Sequence, residues 1–381
     1  MVYLDYAAAT PLDPEVLKMM MPYLQDQYGN PSSIHQKGRE ARAAIEESRT
    51  TIADFFGCTP KEVIFTSGGT ESNNWAVFGL AETLKGRGNH IITTAIEHDS
   101  VLKPMEQLQD RGFEVTFLQP DKDGIINPQQ VAEALTTKTI FASIIYANNE
   151  IGTIQDIPQI AKILHKKNIL LHTDACQAVN EIPTKMADVG ADLMTINSGK
   201  IYGPKGAGAL LIKENTNITP LLFGGGQEFR MRAGTENVAA LVGFASAIKK
   251  IQPEPLKTIR LRDHFIEQLL KIEGVTLNGH PKMRLPNNIN VSVEGINNES
   301  LLVRLDMEGI AASAGSACSS GSIEPSHVLL ALGQTKEQAA TSIRFSLGKD
   351  TTKEQIDKTV EKFAQIIYDL RGTKSEQTDK Q

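Results

Sequence analysis

The segments Ile169-Leu170-Leu171-His172-Thr173-Asp174 and Asn197-Ser198-Gly199-Lys200 decide the fold class predicted for this chain. The first is a short apolar run that ends in a carboxylate, and the second directly follows another apolar run at 192–196. Short, continuously apolar strands are typical of parallel sheets that are covered on both faces. Open sheets of this kind bind ligands outside the carboxyl ends of their strands, so we expect Asp174 and Lys200 to share one rim.

Strand-like and helix-like segments alternate along most of the chain, which predicts an α/β fold. The predicted strands are 63–66, 90–94, 115–118, 140–145, 169–173 and 192–196, and the predicted helices are 38–56, 71–84, 101–111, 128–135 and 157–167. We assign residues 13–250 to a large α/β domain. Residues 1–12 and 251–371 are predicted to form a smaller α+β domain that carries a loop around Cys318, with strands at 288–293 and 342–347 and helices at 256–272, 299–307 and 352–370. The polar residues 372–381 are predicted to be a frayed tail.

Size and composition exclude several classes of protein. The chain has 381 residues and a net charge of −6 with both signs scattered, so we expect no direct nucleic-acid contact and no membrane association. Three widely spaced cysteines argue against a disulfide framework and against a metal site, and we therefore expect a cytoplasmic protein. We also expect no secretory signal, because the first residues lack a basic and then apolar segment.

Asp174 and Lys200 together point to a particular cofactor chemistry. An acid that keeps a pyridine nitrogen protonated, and a lysine amine that forms an imine with an aldehyde, are what pyridoxal 5'-phosphate requires of a protein. The alternative for Asp174 is a helix cap or a surface carboxylate. Lys205 is a rival for the lysine, although it lies in a Gly-Pro-Lys-Gly turn whereas Lys200 follows its strand directly.

Further polar residues follow other predicted strands on the same rim. Gly69 and Thr70 lie at a strand-to-helix turn, where backbone N–H groups and a hydroxyl can bind phosphate; the alternative is an ordinary tight turn. His98 could stack on a pyridine ring and move protons, or be a buried structural histidine. Asn149 and Gln177 are amides able to hydrogen-bond a phenolate oxygen.

Two residues in the C-terminal third are candidates for contact with substrate. Cys318 lies in a run of small residues, 312–322, which predicts a mobile arm that carries a nucleophilic thiol; the alternative is a loop cysteine without a function. Arg344 offers a guanidinium for a substrate carboxylate, although an exposed strand arginine is the equal alternative.

Many ordered motifs along nearly the whole chain resemble those of the cysteine desulfurases, pyridoxal-phosphate enzymes of the class-V aminotransferase fold. The motifs are Tyr3-Leu4-Asp5-Tyr6-Ala7-Ala8, Tyr28-Gly29-Asn30-Pro31-Ser32-Ser33, Thr66-Ser67-Gly68-Gly69-Thr70-Glu71-Ser72-Asn73-Asn74, Asn148-Asn149-Glu150-Ile151-Gly152, Ile201-Tyr202-Gly203-Pro204-Lys205-Gly206, Gly224-Gly225-Gly226-Gln227-Glu228, Arg232-Ala233-Gly234-Thr235 and Gly315-Ser316-Ala317-Cys318-Ser319. The resemblance implies a fold-type I transferase with a mostly parallel seven-stranded sheet. The small residues around Cys318 resemble the long-loop subgroup of NifS and IscS type.

The resemblance also implies a role for each candidate residue. Around the cofactor, Lys200 would hold it, His98 would stack on its ring and Asp174 would bind the ring nitrogen. Asn149 and Gln177 would lie near the phenolate oxygen, and Gly69 and Thr70 would bind the phosphate together with Thr235 from a partner subunit. Asn30 and Arg344 would hold the carboxylate of L-cysteine, and Cys318 would take the sulfur. A shared phosphate site implies a homodimer. The expected sulfur acceptor is an iron–sulfur scaffold or a tRNA-thiolation protein.

The segment before Lys200 departs from the pattern of the family. Relatives usually read Ser-x-His-Lys, whereas this chain reads Asn197-Ser198-Gly199-Lys200. Asn197 and Ser198 could still donate hydrogen bonds to the phosphate. The loss of one or two such bonds predicts cofactor binding weaker by about 1–3 kcal/mol.

The function that the resemblance implies is conversion of L-cysteine to L-alanine, with the sulfur carried as a persulfide on Cys318 and passed to acceptors for iron–sulfur cluster assembly or tRNA thiolation. One alternative is a selenocysteine lyase or another β-eliminating lyase on the same fold. Another alternative is a degenerate, non-catalytic sulfur-carrier or scaffold subunit, which the altered segment before Lys200 would permit.

Overall fold

A computed structural model describes residues 1–251, 255–315 and 325–378 of the chain. Its strands are β1 (Val2–Tyr3), β2 (Val63–Thr66), β3 (His90–Thr94), β4 (Glu114–Leu118), β5 (Thr139–Ser143), β6 (Leu170–Asp174), β7 (Leu193–Asn197), β8 (Gly208–Ile212), β9 (Val275–Leu277), β10 (Asn288–Val293), β11 (Ile310–Ala311) and β12 (Ser342–Ser346). Its α-helices are α1 (Pro14–Gln25), α2 (Gln36–Phe56), α3 (Gly69–Leu84), α4 (Asp99–Asp110), α5 (Pro128–Ala134), α6 (Ile157–His165), α7 (Met186–Val189), α8 (Val238–Lys249), α9 (Pro255–Leu269), α10 (Asn298–Met307), α11 (His327–Ala331), α12 (Lys336–Ala339) and α13 (Lys353–Thr378).

The largest sheet that these residues form has seven strands in the order β2-β8-β7-β6-β5-β3-β4. Strands β7, β6, β5, β3 and β4 pair in parallel, and β8 is antiparallel to both of its neighbours, β2 and β7. The mostly parallel seven-stranded sheet is therefore confirmed. Strand β8, which the sequence analysis did not predict, reverses direction between β7 and β2 and leaves the carboxyl end of β2 on the same rim as that of β7.

Alternating side chains of the parallel strands enter two separate cores. Ile92 and Leu171 belong to the core under α2, α6 and α8, whereas Ile91 and Leu193 belong to the core under α3 and α4. Successive residues of a strand point to opposite faces, so helices must cover both sides of such a sheet. This arrangement leaves the strand ends as the place where polar side chains can meet.

The other strands of the described residues form two smaller sheets, of which the three-stranded one is antiparallel. Strands β12, β10 and β9 form a three-stranded sheet, and β1 pairs in parallel with β11. Leu4 packs in the same apolar core as Phe345 and Phe363, so the beginning of the chain joins its C-terminal third. The division of the chain into domains at residues 12 and 250 stays a prediction.

The C-terminal helix α13 continues to Thr378, beyond its predicted end at residue 370. The frayed tail expected at 372–381 stays a prediction. Extending an existing helix costs far less than starting one, and residues 373–378 contain no proline or glycine to stop it. Residues 379–381 lie outside the described residues.

Two negative findings apply to the part of the chain that the structure describes. None of its helices is long and apolar enough to cross a membrane. None of its histidine, cysteine and carboxylate side chains form a group that could bind a metal ion.

Candidate active site

Asp174 is the last residue of β6 and is almost completely buried. Its Oδ1 accepts a hydrogen bond from the backbone N–H of Cys176 at 2.9 Å, and its Oδ2 accepts one from the side-chain amide of Asn73 at 2.7 Å. Two donors fix the plane of the carboxylate. This acid is therefore held at the strand end, as the sequence analysis predicted, and it is neither a helix cap nor a surface carboxylate.

Lys200 ends a short 3-10 turn, Ser198–Lys200, that directly follows β7. Its Nζ donates to the backbone oxygens of Ala7 and Ala8, both at 2.7 Å. Thr10 binds the backbone oxygen of Gly199 through its N–H and its hydroxyl, at 3.2 and 3.1 Å. The N-terminal segment therefore lies against the lysine, which explains why that segment belongs to the site.

The N-terminus of α3 provides a strand-to-helix turn without a side-chain cap among the described residues. Gly68 has φ +149°, a conformation that L side chains rarely adopt, and a Cβ on Gly69 would lie 2.7 Å from the Sγ of Cys176. Both glycines are required by the geometry, and the first N–H groups of the helix are open to an anion. Thr70 lines the same cavity.

His98 precedes α4 and caps its N-terminus. Its Nδ1 accepts from the backbone N–H of Ser100 at 3.1 Å and lies 2.7 Å from the hydroxyl of the same residue. The ring lines the cavity that Asp174 and Lys200 also line.

The two rim amides both reach the cavity. Gln177 donates through Nε2 to the backbone oxygen of Ala7 at 2.9 Å, and Asn149 lines the wall next to Arg344. Asn197 also lines the cavity, and its Nδ2 lies 3.7 Å from the position that a Cβ on Gly69 would take.

Arg344 is only 2% exposed, so the alternative that it is merely an exposed arginine on a strand is wrong. It forms an ion pair with Asp5 at 2.8 Å and donates to the backbone oxygens of Asn149 and Gly315 at 3.0 and 3.3 Å. Its Nε has no hydrogen-bond partner among the described residues. A buried guanidinium with a donor to spare is suited to an anionic ligand group.

Three predicted residues do not reach this cavity. Ser198 is fully buried, and its Oγ lies only 2.1 Å from where a Cβ on Gly203 would be, so it points away from the cavity. Asn30 is exposed in a turn, where its Oδ1 accepts from the N–H of Ser32 at 2.9 Å, and Thr235 is exposed as well. Of the predicted catalytic residues, Cys318 lies outside the described residues, although Gly315, which precedes its loop, lines the cavity.

The cavity has a volume of about 510 Å³, in the range of small-molecule sites. Its size and donor set fit pyridoxal phosphate. An anion-binding turn cleared by Gly69, an oriented carboxylate at Asp174 and the amine of Lys200 line one space. These are the three groups that the phosphate, the ring nitrogen and the aldehyde of the cofactor need.

The sequence analysis missed Asn73, Ser100 and Cys176. Asn73 and Ser100 are buried and connect Asp174 with His98. The Asn-Asn pair at 73–74, inside a predicted helix where asparagine is unfavourable, was a signal for Asn73 but not for Ser100. Cys176 lines the cavity, but burial and the nearby Asp174 carboxylate raise its pKa well above the usual thiol range. That thiol is therefore a poor nucleophile at neutral pH.

Two buried acids adjoin the site. Burial raises the pKa of Glu97 to about 8, even though its Oε1 accepts from Thr94 and from the N–H of Ile145. Burial also raises the pKa of Glu150, which accepts a hydrogen bond from Ser326. Glu97 therefore adds little negative charge near Asp174 at neutral pH.

Comparison with known proteins agrees with this geometry. The class-V aminotransferase family matches residues 2–359. The cysteine desulfurase IscS of Dictyoglomus turgidum is 50% identical over 375 residues, which cover 97% of this chain and 95% of that protein. A solved NifS-like protein superposes with a TM-score of 0.90 at 35% identity, covering 96% of this chain and 99% of its own. The solved structure of SspA in complex with cysteine superposes with a TM-score of 0.83 at 35% identity. The match covers 91% of this chain and 99% of the SspA chain.

The fold and the cavity define a fold-type I, pyridoxal-phosphate-dependent protein. The chain belongs to the class-V aminotransferase family.

Proposed function

We propose that this chain is a cysteine desulfurase, which converts L-cysteine to L-alanine and takes the sulfur as a persulfide on Cys318. Similarity to cysteine desulfurases over 97% of the chain supports this function. The observation that carries it here is the meeting of Lys200, Asp174 and Arg344 at one cavity. The bound cofactor supplies an electron-accepting ring that stabilises negative charge on the Cα of cysteine.

The residues of the chain would divide the work around that ring. Lys200 would attach the cofactor, and its amine, once released, would take the Cα proton of the substrate. Asp174 would hold a proton on the ring nitrogen, and His98 would lie over the ring. Gly69, Thr70 and Asn197 would bind the phosphate, while Asn149 and Gln177 would contact the phenolate side.

Arg344, which lines the cavity, would hold the substrate carboxylate through its guanidinium. The thiolate of Cys318 would attack the sulfur of the bound cysteine. The S–S bond forms as the C–S bond breaks, and the released carbon takes a proton to become the methyl group of alanine. One cysteine and one thiol thus yield one alanine and one persulfide.

The assembly and the sulfur acceptor belong to the same proposal. A homodimer would bring Thr235 of one chain to the phosphate site of the other, since Thr235 lies outside the cavity of its own chain. The acceptor would be an iron–sulfur scaffold or a tRNA-thiolation protein, and the reaction would take place in the cytoplasm. Asn30 would reach the carboxylate of cysteine only if its turn differs when substrate is bound, because it is exposed here.

The test compares Cys318→Ser with Cys58→Ser in the cofactor-loaded protein. Cys58 is the control because burial raises the pKa of its thiol to about 12. We expect Cys318→Ser to change the absorbance of the cofactor on addition of L-cysteine but to form no alanine and no sulfide, and Cys58→Ser to form both. Normal turnover by Cys318→Ser would refute the assigned nucleophile. Preference for selenocysteine in competition would favour the lyase, and a chain that binds no cofactor would favour a scaffold subunit.

A further inference from the structure

Asn73 occupies a buried position between two groups of the cavity. It is 1% exposed and lies in the first turns of α3. Its Nδ2 donates to Asp174 Oδ2 at 2.7 Å and to Ser100 Oγ at 2.8 Å. Its amide oxygen has no partner among the described residues. Burying an amide whose oxygen has no partner costs stability. The contribution of Asn73 is therefore the two hydrogen bonds that its nitrogen donates.

The chemistry of the partners fixes the direction of each hydrogen bond. Both carboxylate oxygens of Asp174 act as acceptors, one towards the N–H of Cys176 and one towards Asn73, so the nitrogen of the Asn73 amide faces Asp174. The second N–H of that nitrogen points to Ser100, whose hydroxyl oxygen must therefore accept. The hydroxyl proton of Ser100 is then free to be donated elsewhere.

The hydroxyl proton of Ser100 is donated to His98. The hydroxyl of Ser100 lies 2.7 Å from His98 Nδ1, and the backbone N–H of Ser100 donates to the same nitrogen at 3.1 Å. A proton on Nδ1 would face both of these donors. The single ring proton of a neutral imidazole must then be on Nε2.

We propose that Asn73 and Ser100 are positioning residues that tie His98 to the Asp174 carboxylate and hold its ring as the neutral tautomer protonated on Nε2. His98 then presents an N–H donor, not a bare nitrogen, at Nε2. The importance of His98 and Asp174 for turnover rests on the proposed function, but the tautomer does not.

Nitrogen-15 NMR of the histidine ring nitrogens in the cofactor-loaded protein tests the proposal. The signal of His98 is assigned by its loss in His98→Gln. We expect a bare Nδ1 and a protonated Nε2 in the unsubstituted protein. In Ser100→Ala and Asn73→Ala we expect the Nδ1 signal of His98 to shift, because the hydroxyl donor is lost or released and only the backbone N–H of residue 100 still holds the tautomer.

A matched control is available on another sheet. Asn278 is also buried and also donates through Nδ2 to two side-chain oxygens, those of Asn290 and Ser292, at 2.7 and 2.9 Å. Asn278→Ala should leave the His98 signals unchanged. A titration of cofactor affinity should show binding about tenfold weaker in Asn73→Ala than in Asn278→Ala, the size of one charge-assisted hydrogen bond.

A proton on Nδ1 of His98 in the unsubstituted protein would overturn the proposal, and it can be seen even if the variants fail to fold. Identical His98 signals in Ser100→Ala, Asn73→Ala and Asn278→Ala would also overturn it. The expected tautomer in a protein that forms no alanine would instead refute the proposed function and leave this inference intact.

Discussion

The position of a Cβ on Gly69 lies 2.7 Å from the Sγ of Cys176. Residue 69 begins α3 and residue 176 follows β6, so the two turns are far apart in sequence. The backbone of Gly69 nevertheless packs against the side chain of Cys176. Only glycine allows this approach without movement of the thiol. The contact places the N-terminus of α3 beside the strand end that carries Asp174.

Gly69→Ala should therefore weaken cofactor binding, because the added methyl group has to displace either the turn or the thiol. Overpacking of this kind costs about 1–3 kcal/mol. The measurement is cofactor affinity by absorbance titration. In a Cys176→Ala background the same substitution should cost clearly less, because the clashing atom is absent. An equal loss of cofactor affinity in both backgrounds would show that contact with Cys176 is not the reason why residue 69 must be glycine.

Gly199→His is expected to strengthen cofactor binding. The nearest atoms to a Cβ at this position are Asn197 Oδ1 and Lys205 Cγ, both at 3.6 Å, so the backbone here accepts a Cβ without a clash. The substitution introduces the histidine that the resemblance to cysteine desulfurases leads us to expect before the lysine, and one added hydrogen bond to a charged group is worth about 1.5–3 kcal/mol. Gly199→Ala is the control, since it fills the same space without a donor. Equal affinities for the two variants would contradict a looser phosphate site.

Arg344→Lys should raise the KM for L-cysteine by about tenfold or more, because a lysine cannot reproduce the planar set of donors that a carboxylate accepts. We expect kcat to change less than KM. Arg262→Lys is a suitable control, since Arg262 is also buried and donates to the backbone oxygens of Arg284 and Leu285 but does not line the cavity. The same rise in KM for both variants would indicate a general loss of structure.

Glu97 should make the stability of the protein depend on pH. Burial raises its pKa to about 8 in the folded chain, whereas an unfolded glutamate has a pKa of about 4.3. Between these values the folded state holds a proton that the unfolded state has lost, so the free energy of unfolding falls as pH rises, by up to about 1.4 kcal/mol per pH unit. This contribution is fully present below about pH 4 and lost above about pH 8.

Urea unfolding of the wild type and of Glu97→Gln measures this effect. The variant keeps a neutral side chain of the same shape. We therefore expect the stability of the wild type, relative to the variant, to decline from pH 5 to pH 8. A difference that stays constant over this range would mean that Glu97 is ionised in the folded protein.

The sequence predicted the parallel part of the fold well because its buried strands are short apolar runs with clear ends. Strands β2, β3 and β10 have the predicted bounds, 63–66, 90–94 and 288–293. Strand β8 was missed because Gly208–Ile212 follows a glycine-rich turn without a helix before it, so the alternation of strands and helices gives no signal. Short-range patterns also give no information on the pairing of β1 with β11, which are about 300 residues apart.

The candidate site was predicted to the extent that its residues follow strands. Asp174, His98 and Lys200 were placed on one rim for that reason, and they line one cavity. Asn73 and Ser100 act through other side chains from within two helices, and periodicity does not distinguish such residues from the rest of a buried face. Ser198 was misplaced because the 3-10 turn after β7 rotates its hydroxyl towards Gly203.

Covalent attachment of the cofactor to Lys200 is the central claim, and borohydride reduction of the cofactor-loaded protein followed by peptide mapping tests it most directly. We expect the label on the peptide that contains Lys200, with Lys205→Ala still labelled there and Lys200→Ala unlabelled. A label on Lys205, or on any other residue while position 200 stays unmodified, would contradict the account.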